Sequence, residues 1–317
     1  MQYYRATGDM EFMLDCGIEM LIETSRFWQS RVSKNTNGKY DILAVRGPNE
    51  YGVIVNNNCY TNMMVQENFE SAISMINEVK ESFPDRWNEI SEKTGFSDDE
   101  IDIWNQISDN ITICYNADMK LYEEHDMYMN RIPLDLSLAK PSGKRIIDST
   151  LPYESMALYQ VTKQADIICL MNNLPLRFTE EEKRVAWDYY EPKTAHDSSL
   201  SYCSHAIMAA KLGMSDIAYE YFKNCVYLDI EDLKLNGISG LHFANFGGTW
   251  QAVVYGFAGL SFKGNTLMLE PSFPEEWGKV SFKVYFKGNL VKVDANGKEA
   301  RAEIVHQGTQ KISISIA

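Results

Sequence analysis

Glu50 stands in the string Arg46-Gly-Pro-Asn-Glu-Tyr-Gly-Val-Ile-Val-Asn56-Asn-Asn58-Cys-Tyr60-Thr-Asn62. Pro48, Gly47 and Gly52 forbid a continuous helix or a central strand here, so Glu50 is expected on a loop between two helical patterns. A carboxylate held on such a loop can donate a proton, and the Asn/Tyr/Thr run behind it is dense in hydrogen-bonding groups. For an isolated glutamate beside Gly-Pro, a solvated turn is the simpler reading. Three other stretches carry chemistry. In Tyr189-Tyr-Glu-Pro-Lys-Thr194-Ala-His196-Asp197-Ser198-Ser199-Leu200, the last residues precede a helix read from Leu200, Cys203, Ile207 and Ala210 to its stop at Gly213. Free N–H groups and the positive dipole end favour an anion there, although Asp-Ser-Ser is also an ordinary cap. In Gly240-Leu-His242-Phe-Ala-Asn-Phe-Gly247-Gly248-Thr249-Trp250, two adjacent glycines before an apolar helix (Ala252 to Leu260) permit close backbone approach to a ligand. A tight turn between helices accounts for the same glycines, and a hydrogen-bonded core histidine for His242. In Val161-Thr-Lys163-Gln164-Ala-Asp166, Lys163 and Gln164 interrupt an apolar helix pattern, and a solvated face would explain them equally.

The elements that must position these groups are mostly helical. Residues 8–32 carry Met13, Cys16, Met20, Leu21, Thr24, Phe27 and Trp28 at three- and four-residue intervals, with Asp9 and Glu11 in the first turn. This pattern is expected to leave no room for a preceding domain. Residues 63–92 continue in helix with a break at Phe83-Pro84. Ser97-Asp-Asp-Glu100 and Thr179-Glu-Glu-Glu182 read as capping boxes. Residues 130–152, with three prolines and no helical period, read as a long loop. From about residue 259 the period changes to two, in Leu267-Met-Leu, Val280-Ser-Phe-Lys-Val-Tyr-Phe, Leu290-Val-Lys-Val and Ile312-Ser-Ile-Ser-Ile, separated by Lys-Gly-Asn and Asn-Gly turns. A mainly α domain over 1–258 and a small antiparallel β-sheet domain over 259–317 are expected.

Composition narrows the classes. The 317 residues are 45% hydrophobic and 23% charged, a globular profile with room for a sizeable core. The formal net charge of −14 argues against a nucleic-acid partner and against an anionic membrane surface. An anionic substrate would need a local site working against the overall field. Cys16, Cys59, Cys114, Cys169, Cys203 and Cys225 show no Cys-x-x-Cys spacing, and most lie in apolar helical patterns. The first residues have no apolar h-region and no window approaches a membrane span, so a cytoplasmic location is expected. No His/Asp/Glu group has metal-ligand spacing.

Taken together, the strings resemble those of glycoside hydrolase family 65. The usual acid loop there is Gly-Pro-Asp-Glu-Tyr followed by Asn-Asn and Tyr-Thr-Asn, and residues 46–62 are similar to it. Four further strings follow in the family order: Thr7-Gly-Asp…Glu23-Thr-Ser-Arg-Phe-Trp28, Lys163-Gln-Ala-Asp166, Thr194-Ala-His-Asp-Ser-Ser-Leu-Ser201, and Gly240-Leu-His…Gly247-Gly-Thr-Trp250. The resemblance implies part of an (α/α)6 barrel with a C-terminal β-sheet cap, and inverting phosphorolysis of an α-glucoside disaccharide such as maltose, trehalose, kojibiose or nigerose. It makes Glu50 the general acid, Lys163 and Gln164 sugar contacts, and Ser198, Ser199, His242, Gly247 and Gly248 the phosphate cradle. No cofactor or metal is implied; inorganic phosphate is the co-substrate. The chain looks like the second half of such an enzyme, because the family's N-terminal β-sandwich, its first barrel helices and its donor-site Trp-Asp segment have no counterpart here. Asn49 stands where Asp is usual and Gly52 where His is common, and loss of a neighbouring charge should lessen any upward push on the acid's pKa.

Phosphate is already a nucleophile, so an inverting phosphorylase needs only an acid and an anion cradle, whereas an inverting hydrolase needs a second carboxylate as base. The expected product is β-glucose 1-phosphate, with Glu50 acting as base in the reverse direction. A hydrolase of the same family and a non-catalytic fragment acting as a sugar-binding or interaction module are the alternatives. A homodimer, or a companion chain supplying the missing barrel half, would cover the helix faces that a partial barrel leaves exposed.

Overall fold

The computed structural model describes residues 1–136, 152–308 and 310–317. The chain is mainly helical up to residue 257 and then a pair of small sheets. The long loop expected over residues 130–152 falls largely on positions outside those described. The predicted first helix runs as Met10–Phe12, a wider turn at Met13–Gly17, and Ile18–Arg31. Asp9 starts it by accepting from the Phe12 N–H at 2.9 Å. The expected break at Pro84 separates helices Cys59–Ser82 and Pro84–Thr94, with proline at a first-turn position where its missing N–H costs nothing. Helix Asp99–Asn110 has only half of its expected box: Glu100 Oε1 accepts from the Ser97 N–H at 3.1 Å, but no side chain caps the helix from the other side. At Glu180–Tyr190 both halves of the Thr179/Glu182 box are made.

Two apolar cores lie on either side of helix Cys59–Ser82. One gathers Ile18, Ile22, Phe69, Met75, Ile76, Trp104 and Ile107. The other joins Met63, Ile167, Leu170, Trp187, Tyr190, Met208 and Phe257 to Leu267, Leu269, Phe286 and Val291, so the sheets share a core with the helices. Fully burying each such side chain is worth roughly 1.5–3 kcal/mol. This core is what holds helices Asp166–Asn173, Ser201–Lys211 and Ser215–Tyr227 in the order that brings the functional loops to one end.

Lys279–Phe286, Asn289–Asn296 and Glu299–His306 form an antiparallel meander. Its turns place Lys287, Gly288 and Gly297 at positive φ, the geometry that matches strand twist in tight hairpins. The second sheet corrects the expectation of a purely antiparallel domain. Ser261–Lys263 pairs antiparallel with Thr266–Leu269, but the last strand, Ser313–Ile316, lies parallel to Thr266–Leu269. Period-two patterning specifies which face a residue takes, not the direction of its neighbour.

Candidate active site

Glu50 lies on a loop, as its flanking Gly and Pro require, and the loop is held from behind. Asn49 is buried, and its backbone N–H donates to Asp166. Asn58 caps helix Cys59–Ser82 through Oδ1 and donates from Nδ2 to Asp166 Oδ2 at 2.5 Å. A Cβ on Gly47 would overlap Asp166 Oδ2 and the Asn58 amide, so only glycine lets the loop pass this close. In front, Tyr51 Oη donates to Asp197 Oδ2 at 2.7 Å, and Tyr153 Oη donates to the Glu50 carbonyl at 3.0 Å.

Lys163 donates to the Glu50 carboxylate, and Gln164 Nε2 donates to the Pro48 carbonyl at 2.5 Å. Both residues therefore brace the Glu50 loop. They do not interrupt a helix, contrary to the expectation from sequence: Asp166–Asn173 begins after them, and Thr162 is tied to Thr194 by a bridge. The Lys163 ammonium, with minor help from Gln164 and Arg46, holds the Glu50 carboxyl below its ordinary range against the opposing effect of partial burial. Gln164 Oε1 is buried with no partner among the described residues, an acceptor left over beside the loop.

A cleft of about 780 Å³ opens onto Glu50 and Lys163, within the size range of small-molecule sites. Its other walls include Ser198, Ser199, Lys234, Asn236 and His242. Ser198 and Ser199 lie just before helix Ser201–Lys211, where Ser198 Oγ accepts from the Leu200 N–H at 3.2 Å. His242 is oriented by a residue that sequence reasoning did not single out. Asp229 takes its ring Nδ1 at 2.5 Å and its backbone N–H at 3.0 Å, which leaves Nε2 beside Asn236 at 3.3 Å. The same two bonds hold the Asp229 carboxyl below its ordinary range. Lys234 brings a cation to this wall, donating to the His196 carbonyl and to Tyr202 Oη. His196 is pushed well below its usual range, first by burial and then by His205 and Lys234, so it is neutral at pH 7.

The two glycines are placed differently from the other proposed cradle residues. Helix Phe243–Gln251 begins before them, and neither lines the cleft. A Cβ on Gly248 would meet Cys203 Sγ at 2.6 Å, so this glycine serves close packing of two helices. Gly247 is exposed with open space around it. The structure thus brings together Glu50, Lys163, Ser198, Ser199 and His242, sets Gln164 just behind them, and leaves Gly247 and Gly248 outside. Two more carboxylates also face the cleft, Asp197 and Glu191, the latter accepting from Tyr221 Oη at 2.7 Å. Neither Asp229, Lys234 nor Asn236 had a motif around it; they share a stretch, 229–236, that reads as exposed and irregular.

Comparison with known proteins agrees on one family. Residues 1–251 match the glycosyl hydrolase family 65 central catalytic domain, and residues 260–317 match the glycosyl hydrolase family 65, C-terminal domain. Kojibiose phosphorylase of Caldanaerobacter subterraneus subsp. tengcongensis is 35% identical over 317 residues, which are 99% of this chain and 41% of that protein. Alpha,alpha-trehalose phosphorylase of Geobacillus stearothermophilus is 36% identical over 96% of this chain and 40% of its own length. Maltose phosphorylase of Bacillus subtilis is 32% identical over 96% of this chain and 39% of its own. A solved structure of a putative kojibiose phosphorylase from human microbiome superposes with a TM-score of 0.87 at 29% identity, covering 99% of this chain and 43% of that one. The chain spans about two fifths of the length of the curated relatives it matches. It belongs to glycoside hydrolase family 65.

Proposed function

We propose that this chain carries the acid and phosphate half of an inverting α-glucoside phosphorylase. The observation that carries the reading is one cleft lined by Glu50 with Lys163, by Ser198 and Ser199, and by the Asp229-oriented His242. Phosphate held on the serine and histidine wall attacks the anomeric carbon of the glucoside. Glu50, protonated, gives its proton to the departing oxygen, and β-glucose 1-phosphate and the acceptor sugar leave. In the reverse direction the Glu50 carboxylate accepts the proton from the acceptor hydroxyl. The Lys163 ion pair favours that ionised form, so the phosphorolytic direction requires the sugar to draw Lys163 off Glu50 as it binds. Lys163 and Gln164 are the sugar contacts in this reading. Lys234 supplies positive charge to phosphate that the net charge of −14 would otherwise repel. No metal or cofactor takes part.

The helices belong, in this reading, to a partial (α/α)6 barrel over residues 1–258, completed by a companion chain, by further residues or by a second copy. Supporting this is the face of helix Phe243–Gln251: Phe243, Phe246 and Trp250 are exposed, and Ile238 and Leu241 beside them are exposed too. A contiguous apolar patch of this kind marks a contact surface. The disaccharide linkage is left to the assay that tests the reading: β-glucose 1-phosphate formed from a panel of α-glucobioses with phosphate. Hydrolysis is the second reading, because Asp197 and Glu191 give the cleft carboxylates that a water-activating base would require. Turnover that persists undiminished without phosphate would replace the phosphorylase with that hydrolase.

A further inference from the structure

Asn49 uses every hydrogen-bonding site of its side chain. Its Oδ1 accepts from the backbone N–H of Lys163 at 2.9 Å and of Tyr51 at 3.2 Å. Its Nδ2 donates to Glu124 Oε2 at 3.0 Å and to the Val161 carbonyl at 3.3 Å. The residue is 2% exposed, and its backbone N–H reaches Asp166. One amide therefore ties the acid loop on both sides of Glu50 to the segment that bears Lys163, and anchors both to a buried carboxylate. An amide offers two donors and two acceptor positions, and a carboxylate of the same shape offers no donor unless protonated. An aspartate at position 49 would turn an oxygen toward the Val161 carbonyl, a contact between acceptors in a site closed to water, and could keep Glu124 Oε2 only through a proton shared between the two carboxyls.

We propose that the Asn49 side-chain amide is the positioning residue that sets Glu50 against Lys163, with Glu124 and the Val161 carbonyl as the acceptors of its two N–H groups. The Asn49 side chain points away from Glu50 into the protein, so its departure from the family's usual Asp bears on loop geometry rather than on a charge beside the acid. The donor and acceptor roles of the pair are interchangeable. An aspartate at position 49 facing a glutamine at position 124 would restore the bond with its polarity reversed, the glutamine amide donating to the aspartate. Asn49 touches neither phosphate nor sugar, and its effect passes through the Glu50–Lys163 pair. The inference rests on Glu50 being the acid of the proposed reaction.

The test reads the geometry of the acid without turnover. Glu50 is titrated by carboxyl carbon NMR in the full chain, in Asn49→Leu, in Asn49→Asp, and in the double variant Asn49→Asp with Glu124→Gln. Asn49→Leu adds no charge and removes all four side-chain bonds, so Glu50 is expected to titrate at a higher pH as Lys163 drifts from it. The double variant is expected to return the titration toward that of the parent, and Asn49→Asp alone is not. A folded Asn49→Leu with the parent's Glu50 titration overturns the proposal. So does a double variant that folds and titrates no better than Asn49→Asp. Where glucoside phosphorolysis is measurable, Asn49→Leu should lower kcat about 10²-fold with little change in KM, the size expected of a displaced catalytic group. A parent chain that forms no glucose 1-phosphate counts against the proposed function and leaves the titration comparison intact.

Discussion

The two walls of the cleft are built to different standards. The Glu50 wall is braced from the protein interior: Asn49, Asn58 and Asp166 are each at most 2% exposed, Asp166 accepts from the Asn49 N–H and the Asn58 amide, and Asn49 accepts from the Tyr51 N–H. The wall of Ser198, Ser199 and His242 rests partly on the stretch 229–242, whose Leu235, Ile238 and Leu241 are exposed and whose polar contacts are mostly local, Asp232 to Asn236 and Gly237, and Asp229 to His242. A proton donor must be placed within tenths of an ångström of a reacting oxygen, and the packed interior supplies that restraint. An anion is attracted over a longer range by charge and by free N–H groups, and tolerates a looser frame. The less constrained wall is also the one beside the uncovered apolar helix face, so whatever covers that face would tighten the phosphate side rather than the acid side.

The sharpest break between the walls is removal of the proton. Glu50→Gln should cut glucose 1-phosphate formation from a disaccharide by about 10²–10⁴-fold. A glucosyl donor whose leaving group needs no proton should lose far less, and equal losses on both would remove Glu50 from the acid role. On the opposite wall, Asp229→Asn frees His242 from its orienting carboxylate. The KM for phosphate should rise roughly tenfold, the size of one charge-assisted bond of about 1.5 kcal/mol, with the KM for disaccharide nearly unmoved. A change in the disaccharide KM alone would place His242 on the sugar.

The pH dependence sharpens the comparison further. Glu50 must carry a proton to act as an acid, and Lys163 lowers its pKa. Lys163→Met should therefore move the alkaline limb of the phosphorolysis profile to higher pH, along with a weaker hold on the sugar. The buried pair behind the loop has the opposite sign. Burial raises Asp166 to about 7 and raises Glu124 well above the carboxylate range, the Asp166 charge adding to the latter. A carboxyl raised on folding stabilises the fold below its unfolded value, near pH 4, and that contribution is lost as pH rises through the raised folded value. Tm should thus fall between about pH 4 and 7, and Glu124→Gln should flatten the slope, since Gln can still accept from Asn49. The smallest effect lies far from either wall: Thr179→Ala should cost about 1 kcal/mol through its cap and leave kinetics alone.

Much of this was legible along the chain because it depends on near neighbours. Gly-Pro before Glu50 dictates a loop, apolar residues at helical spacing dictate the stripe of Cys59–Ser82, and Thr179 with Glu182 dictates a helix start. The acid and the His-Asp-Ser-Ser string came from motifs, and both line the cleft. The glycine pair does not line the cleft of this chain, which the sequence could not show, because Gly-Gly before an apolar run reads the same whether a ligand or a second helix needs the space. Only the fold puts Cys203 against Gly248. Lys163 and Gln164 had the right types and the wrong element, since apolar spacing on both sides hid the turn before Asp166.

By itself, then, the order of residues determined most of the elements, the loop that bears Glu50 and the family, which follow from local sterics, hydrophobic period and motif. Tertiary structure alone decided which polar groups far apart in sequence meet. Asn49 finds Glu124 across 75 positions and Tyr51 finds Asp197 across 146. Asp229 finds His242 only because the chain doubles back through an irregular segment. Hydrogen bonds and ion pairs are made over about three ångströms in space, and no spacing along a chain encodes such a distance until the apolar cores have closed.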